Sequence, residues 1–592
     1  MKKTFITLFL TAFFVIPVVS QSFDEAMVLY ASEEFADAAG IFSELGDDQS
    51  ALFAGKSYLA LTDYENANDY LYRASESPQA GIRYEALYSL ALSHYGLKSF
   101  DKSLEYLYAV IQGNHPGLRS DSRRMYSQIL HFLSPRQRFE ILPKLETPSV
   151  RYDVVRISRS YMQPEQYQHL VSELLELTPE ASDRNRLRDE LLNGLVQLPI
   201  PFQYPAAPAG TIYNIGVVLP TFDQGDPDFT IPRNLYFGMV HAAEEFNSRN
   251  PDKKVNLIFR NSAEHPDTTE AALNELVESK RIDAVIGPLF SEPATRMAAL
   301  SEQLQLPMIA PLANSAELYR NYSSTFQLNP TLVTHGREMA RFAVQELGLT
   351  NLGVIIDQGS PHRPVAMEFR REAERLGARI THFIEQNFEV IGYDFSEATQ
   401  VFERQVQPGS EDEILTVNVT QAIYAPFTGQ ASSTMMNLLM NELESMRSNL
   451  VILGTEEWEQ HSLSNFQENF FEVYFSQAFF ENKSTPDSEL FEQEYQVRFG
   501  SAPDRFSRVG FDTAAFLFKQ LERAGNPEYL PNALISSDPY QGLAYRIHFE
   551  GERINQRLYM QPHSQKAKDR LEELRQIEIP GAEIEDEDVF EE

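Results

Sequence analysis

VIGPLFSEPATRMAALSEQLQLPMIAPLANSAEL, Val285–Leu318, decides the fold. It spans two short apolar runs, Ala284–Ile286 and Met308–Ala310, each closed by a proline and followed by small or hydroxyl-bearing residues. Between them, Pro293–Leu304 carries apolar residues at helical spacing. Short uninterrupted apolar runs are what strands buried on both faces look like, and a helix between two of them is the crossover of a parallel sheet. The ends of the two strands then lie side by side, and Ser291 and Ala313-Asn314-Ser315 are set to hold something small and polar.

The same texture extends outward. Strands are predicted at Tyr213–Leu219, Val255–Arg260, Ala284–Gly287, Met308–Ala310, Leu352–Asp357, Arg379–Phe383, Ala422–Tyr424 and Leu450–Leu453. Amphipathic helices fall between them, as at Leu235–Asn247, Thr268–Ser279 and Pro293–Leu304. Such alternation predicts α/β architecture with parallel sheets. About 350 residues exceed one comfortable core, so two α/β lobes are expected over 212–562.

Residues 21–198 read differently, as an α-helical repeat domain. An aromatic, a small residue and a large apolar residue recur at Phe35/Ala38/Phe42, Tyr64/Ala67/Leu71 and Phe100/Ser103/Leu107. Each copy follows a short polar turn, as in LALTDYENANDYLYRA and SHYGLKSFDKSLEYLYAV. The spacing brackets the 34-residue period of tetratricopeptide repeats, which these hairpins resemble. A proline-rich connector, 199–211, separates this domain from the α/β part.

Lys2 and Lys3 ahead of the apolar run Phe5–Ile16, with small residues up to Ser20, predict a secretory signal peptide over 1–20. No later stretch is long and apolar enough to span a membrane, so the mature chain is not expected to be membrane-spanning. The sequence has no cysteine, which excludes disulfides, thiol nucleophiles and the lipidation that makes a lipoprotein. A periplasmic address is the simplest expectation. The formal net charge of −35 opposes any phosphate backbone, so nucleic acid is excluded as a partner. Residues 563–592 are expected to form a disordered acidic tail, with eight acidic and no basic residues in Glu578–Glu592.

From Tyr213 to about Met560 the chain resembles the type 1 periplasmic solute-binding proteins, in particular the leucine/isoleucine/valine-binding branch. The resemblance rests on pieces that occur in the family's order: IGVVLP, GMVHAAEEFN, VIGPLFS, PMIAPLANSAEL, YDFSEATQVFERQ, AIYAPFTGQASSTMMNLL, VILGTEEWEQHSLSN and FSRVGFDTAAFLFKQLERA. It implies a two-lobed periplasmic-binding-protein type 1 fold closing on a small ligand. It also implies roles for particular residues. Ser291 would bind a ligand carboxylate, although a serine before a helix can equally be its cap. Leu312, through its main chain, Ala313 and Asn314 would add contacts, with Asn314 standing where the family has threonine or serine. Glu456 would receive an ammonium group, with Glu457 one register step away. Phe427 would pack over the ligand, unless it belongs to the core. The loop TFDQGDPDFTIPRNLYFG is longer and more acidic than the family's, and DQGSPHRPVAMEF lacks its tyrosine-glycine pair.

Catalysis finds no support. Nucleophile-elbow, zincin, P-loop and dinucleotide fingerprints are absent, and the twelve histidines occur singly, so neither an enzyme, a metal nor a cofactor is expected. Two functions remain open. One is a receptor for an amino acid or similar zwitterion, serving an ABC permease or a sensor. The other is a non-catalytic envelope scaffold whose helical repeats hold a partner. The order of modules also resembles the outer-membrane lipoprotein activators of peptidoglycan synthases, although the lipidation cysteine is missing.

Overall fold

The structure is a computed structural model that describes residues 22–113, 115–193, 202–403, 420–481, 483 and 485–577. The expected signal peptide, the start of the connector and the acidic end 578–592 lie outside the described residues. The chain divides into two compact units, Met1–Thr211 and Ile212–Glu592.

The first unit is helical. Its first six helices are Phe23–Ala31, Phe35–Leu45, Asp48–Ala60, Tyr64–Ser75, Ala80–Gly96 and Phe100–Gln112. Phe35, Tyr64 and Phe100 each open a helix, and the small and large apolar residues that follow them are all buried: Ala38, Phe42, Ala67, Leu71, Ser103 and Leu107. One turn of helix separates these positions, so they share the packing face. The turns before the three helices have a common form. Each places a left-handed residue two positions before the helix, Glu33, Thr62 and Lys98. In each, the next amide donates five residues back: Glu34 to Leu29, Asp63 to Tyr58 and Ser99 to His94, all at 2.9 Å.

In the second unit the first sheet holds β1 (Thr211–Leu219), β2 (Lys253–Asn261), β3 (Ala284–Ile286), β4 (Met308–Ala310) and β5 (Thr325–Gln327), in the order β2-β1-β3-β4-β5. Here β1, β3, β4 and β5 pair in parallel, with Val285 opposite Met308. The second sheet is built from β6 (Asn351–Asp357), β7 (Arg379–Gln386), β8 (Ala422–Tyr424), β9 (Val451–Gly454) and β10 (Val473–Gln477). The chain then returns to the first lobe, forms a ribbon of β11 (Tyr540–Gln541) and β12 (Arg546–Ile547), and re-enters the second sheet as β13 (Tyr559–Pro562). That sheet runs β13-β10-β9-β8-β6-β7, parallel except for β13 on β10.

Helices cover both sheets. In the first lobe Thr230–Arg249 and Arg505–Ala524 pack most closely, because Gly238 faces the Ser507 carbonyl and Gly510 the Leu235 carbonyl. The chain crosses between the lobes three times, after β5, after β10 and between β12 and β13. The crossings lie against one another through bridges Gln327–Ile554 and Phe479–Tyr545. The expected disorder from 563 does not hold for the described part: Gln565–Ile577 is a helix whose Ala567, Leu571 and Leu574 pack on the second lobe's core. Its three apolar positions at i, i+4 and i+7 make one stripe, which burial rewards over disorder.

Candidate functional site

In open α/β sheets a ligand sits beyond the carboxyl ends of the strands. In the first lobe these ends belong to the neighbours β3 and β4, which brings Ser291 and the Leu312–Asn314 loop onto one wall. After β3, Gly287 is required, since a Cβ there would lie 2.1 Å from the Val218 carbonyl oxygen and its φ is +112°. Phe290, not Ser291, takes the cap position of the helix Ser291–Leu304, with no side-chain capping bond. Ser291 is the first helical residue, half-buried, so its hydroxyl is not committed to capping. In the second loop Ser315 is the cap, accepting from the Glu317 amide, while Asn314 is exposed. The loop's carbonyls are engaged from behind: Tyr545 donates to Pro311 at 2.6 Å and Asn329 to Leu312 at 2.7 Å.

The second lobe contributes the turns after β8 and β9. A 3₁₀ turn, Glu456–Gln460, sends two adjacent carboxylates in different directions. Glu457 turns inward. Thr428 donates to its Oε1 at 2.9 Å and Thr455 donates to its Oε2. His362 Nε2 stands 4.0 Å from Oε1, with its Nδ1 on the Pro426 carbonyl side at 3.3 Å. Below them the Tyr424 hydroxyl is buried without a hydrogen-bond partner. Burial raises the Tyr424 phenol well above its ordinary range, and the charge of Glu457 adds to the rise. His335, bound through Nδ1 to Ser476 at 2.9 Å, is pushed down to about 4 by burial, with Glu457 opposing and His362 reinforcing the shift.

Glu456 turns outward and reaches solvent, yet enough protein surrounds it for desolvation to raise its carboxyl. Glu457 adds to that rise, and Arg505 from the first lobe's helix 505–524 opposes it. The Arg505 guanidinium lies 5.1 Å from the ring centroids of both Phe479 and Phe506.

Phe427 is placed elsewhere than the resemblance implied. It is 1% exposed and packs with Phe395 and Phe388 in the second lobe's core. Burying such a ring is worth roughly 1.5–3 kcal/mol, which holds it there instead of over a ligand. Sequence reasoning did not single out Thr428, Thr455, His362 or Arg505. Thr455 directly follows β9 and could have been found by that position, whereas Thr428 lies four residues beyond β8. A separate cavity of about 1640 Å³ is lined by, among others, His241, Arg341, Arg498, Tyr540 and Leu571, and none of the expected site residues lines it. Among the described residues no group of three or more His, Asp or Glu could hold a metal ion, and no helix is long and apolar enough to cross a membrane.

The sequence model of the family described as "Periplasmic binding protein" matches residues 233–561, more than half of the chain, and the chain belongs to that family. It is a family of ligand-binding proteins, not of enzymes. Among solved structures, the second unit is similar to a protein from Rhodospirillum rubrum described as a branched-chain amino acid ABC transporter. The two are 19% identical over 59% of this chain and 96% of that one, with a TM-score of 0.48. It is also similar to an ABC transporter substrate-binding protein from Desulfitobacterium hafniense in complex with Leu (18% identity, 60% and 98% covered, TM-score 0.41). A third is a solute-binding protein from Rhodopseudomonas palustris BisB5 in complex with 3,4-dihydroxybenzoic acid (14%, 59% and 93%, TM-score 0.39). These likenesses assign no ligand to this chain. No curated protein matches it.

Proposed function

We propose that the chain is an exported, periplasmic receptor that closes its lobes on an amino acid or similar small zwitterion, for ABC-type uptake or for sensing. The carboxylate end would lie against Ser291 and the Leu312–Asn314 loop. The ammonium end would lie at the Glu456–Glu457 pair. One observation carries the reading: the Glu457 carboxylate is held by the hydroxyls of Thr428 and Thr455. A carboxylate fixed before the ligand arrives loses little freedom on binding, and its contact with an ammonium is a charge-assisted hydrogen bond. Arg505 competes for Glu456, which favours Glu457 as the acceptor. Calorimetry of the full chain against the twenty amino acids tests this. E457Q should weaken any response at least about tenfold, the loss of a hydrogen bond to a charged group, and E456Q by less. A flat response to all twenty would end the reading.

A second reading is favoured by the three matching turns at Glu33, Thr62 and Lys98. They support tetratricopeptide-like hairpins, whose stacked pairs offer a surface to other proteins. In this reading residues 21–198 hold an envelope protein such as a peptidoglycan synthase, and the cleft is secondary. Cross-linking of the full chain in its cell decides between them: a permease partner supports the receptor, a synthase the scaffold.

A further inference from the structure

We propose that Asp512 is a positioning residue for the first lobe's ligand wall, fixing the crossover loop Gly542–Tyr545 and, through the Tyr545 hydroxyl, the strand-end loop Pro311–Asn314. Its functional meaning rests on the reading of that loop as part of the ligand site.

The linkage is a continuous run of hydrogen bonds between buried groups. Asp512 lies fully buried on the helix Arg505–Ala524. Its Oδ1 accepts from the amide of Leu543 at 2.8 Å, and its Oδ2 from Ala544 at 2.7 Å and Tyr545 at 2.8 Å. The approach depends on Gly542, where a Cβ would stand 2.3 Å from the Asp512 carboxyl carbon. Tyr545, itself fully buried, donates its hydroxyl to the Pro311 carbonyl at 2.6 Å. The same loop meets the crossing from the second lobe, where the Phe480 amide donates to Ala544 at 3.0 Å. A carboxylate in helix 505–524 thus sets a loop at the hinge, and that loop sets the wall.

The charged groups around Asp512 do not explain its presence. Arg508, one turn earlier, is already paired with Glu492 at 3.4 Å. Tyr540, Tyr545 and Tyr559 face it from the crossover segment, with Arg546 over the Tyr559 ring at 4.6 Å and Glu245 of the helix Thr230–Arg249 acting on Tyr540. Burial raises the carboxyl to about 6, against the three amides and Arg508, which lower it. Because the folded value lies above the unfolded one, the native chain binds the extra proton between about pH 4 and pH 6 and gains stability as pH falls through that window. The ionised form at neutral pH is therefore kept against its own desolvation. An asparagine would avoid that cost but offers one acceptor oxygen in place of two.

Hydrogen exchange on the full chain tests the linkage without any ligand. D512N should raise exchange in both 540–547 and 312–315, by about three- to tenfold for each hydrogen bond lost. Y545F should raise it at 312–315 alone, and D512N/Y545F should add nothing there beyond Y545F. Unchanged exchange at 312–315 in D512N, or additive effects there, would each overturn the proposal. If D512N does not fold, an unchanged Y545F at 312–315 overturns it alone. A failed amino-acid screen would remove the ligand from the wall and leave these exchange results standing, so the two ideas fail separately.

Discussion

Between Glu456 and Glu457 the difference is one step of sequence and two threonine hydroxyls. That step could not be read from the chain, because the direction of each carboxylate depends on a 3₁₀ turn that the letters TEEWEQ do not announce. The same applies to Phe427, whose fate turns on whether Phe388 and Phe395 offer it a pocket. That Ser291 and the Leu312–Asn314 loop follow neighbouring strands was legible, since a strand end followed by a helix start is a pattern of neighbours. A second carboxylate shows what a single residue contributes. Glu372 accepts from Arg375 at 2.6 and 2.7 Å and from Arg341 at 2.8 Å. These hydrogen bonds, that from Arg375 foremost, hold its carboxyl down to about 2 against desolvation. A value below the unfolded one adds stability above about pH 4 that is lost as pH falls toward 2. E372Q should cost about 2 kcal/mol at neutral pH and flatten the acid limb of a stability–pH profile measured by denaturant.

Elements were easiest to read where physics left one solution. Ala284–Ile286, Met308–Ala310 and Ala422–Tyr424 are buried at every position, and uninterrupted apolar letters announce that. The strands that went unread have mixed letters. Thr325–Gln327 buries a threonine and a glutamine, and Tyr559–Pro562 ends on a proline that only an edge strand tolerates. Close helix contact supplies a test. A Cβ on Gly238 or Gly510 would lie 1.9 Å from a carbonyl oxygen of the opposing helix. G238A or G510A should cost about 1–3 kcal/mol as the pair is forced apart, seen as a lower thermal midpoint. In the first unit Thr62 is a β-branched residue at φ +59°. Removing a strain of about 1–2 kcal/mol, less the entropy that glycine adds to the unfolded chain, T62G should stabilise by about 0.5 kcal/mol.

At the scale of the whole molecule, charge and hinge govern. With a net charge of −35 the folded chain repels itself, and salt that shortens the screening length from about 30 to about 8 Å should raise its thermal midpoint. The single tryptophan of the sequence, Trp458, is buried beside Glu457 and donates to the Ala425 carbonyl at 3.0 Å. Its emission should change with any amino acid that binds, and the change should disappear in E457Q at the same concentration. The position of β13 has a further consequence as the chain folds. The second sheet receives its outermost strand only once the chain has passed through the first lobe's returning helices. Until then β10 presents a raw margin, the kind that recruits other chains. A protein truncated after Arg557 loses this strand and the helix Gln565–Ile577 together and should sediment as aggregate while the full chain stays dispersed, which makes one late segment the seal that releases a finished copy.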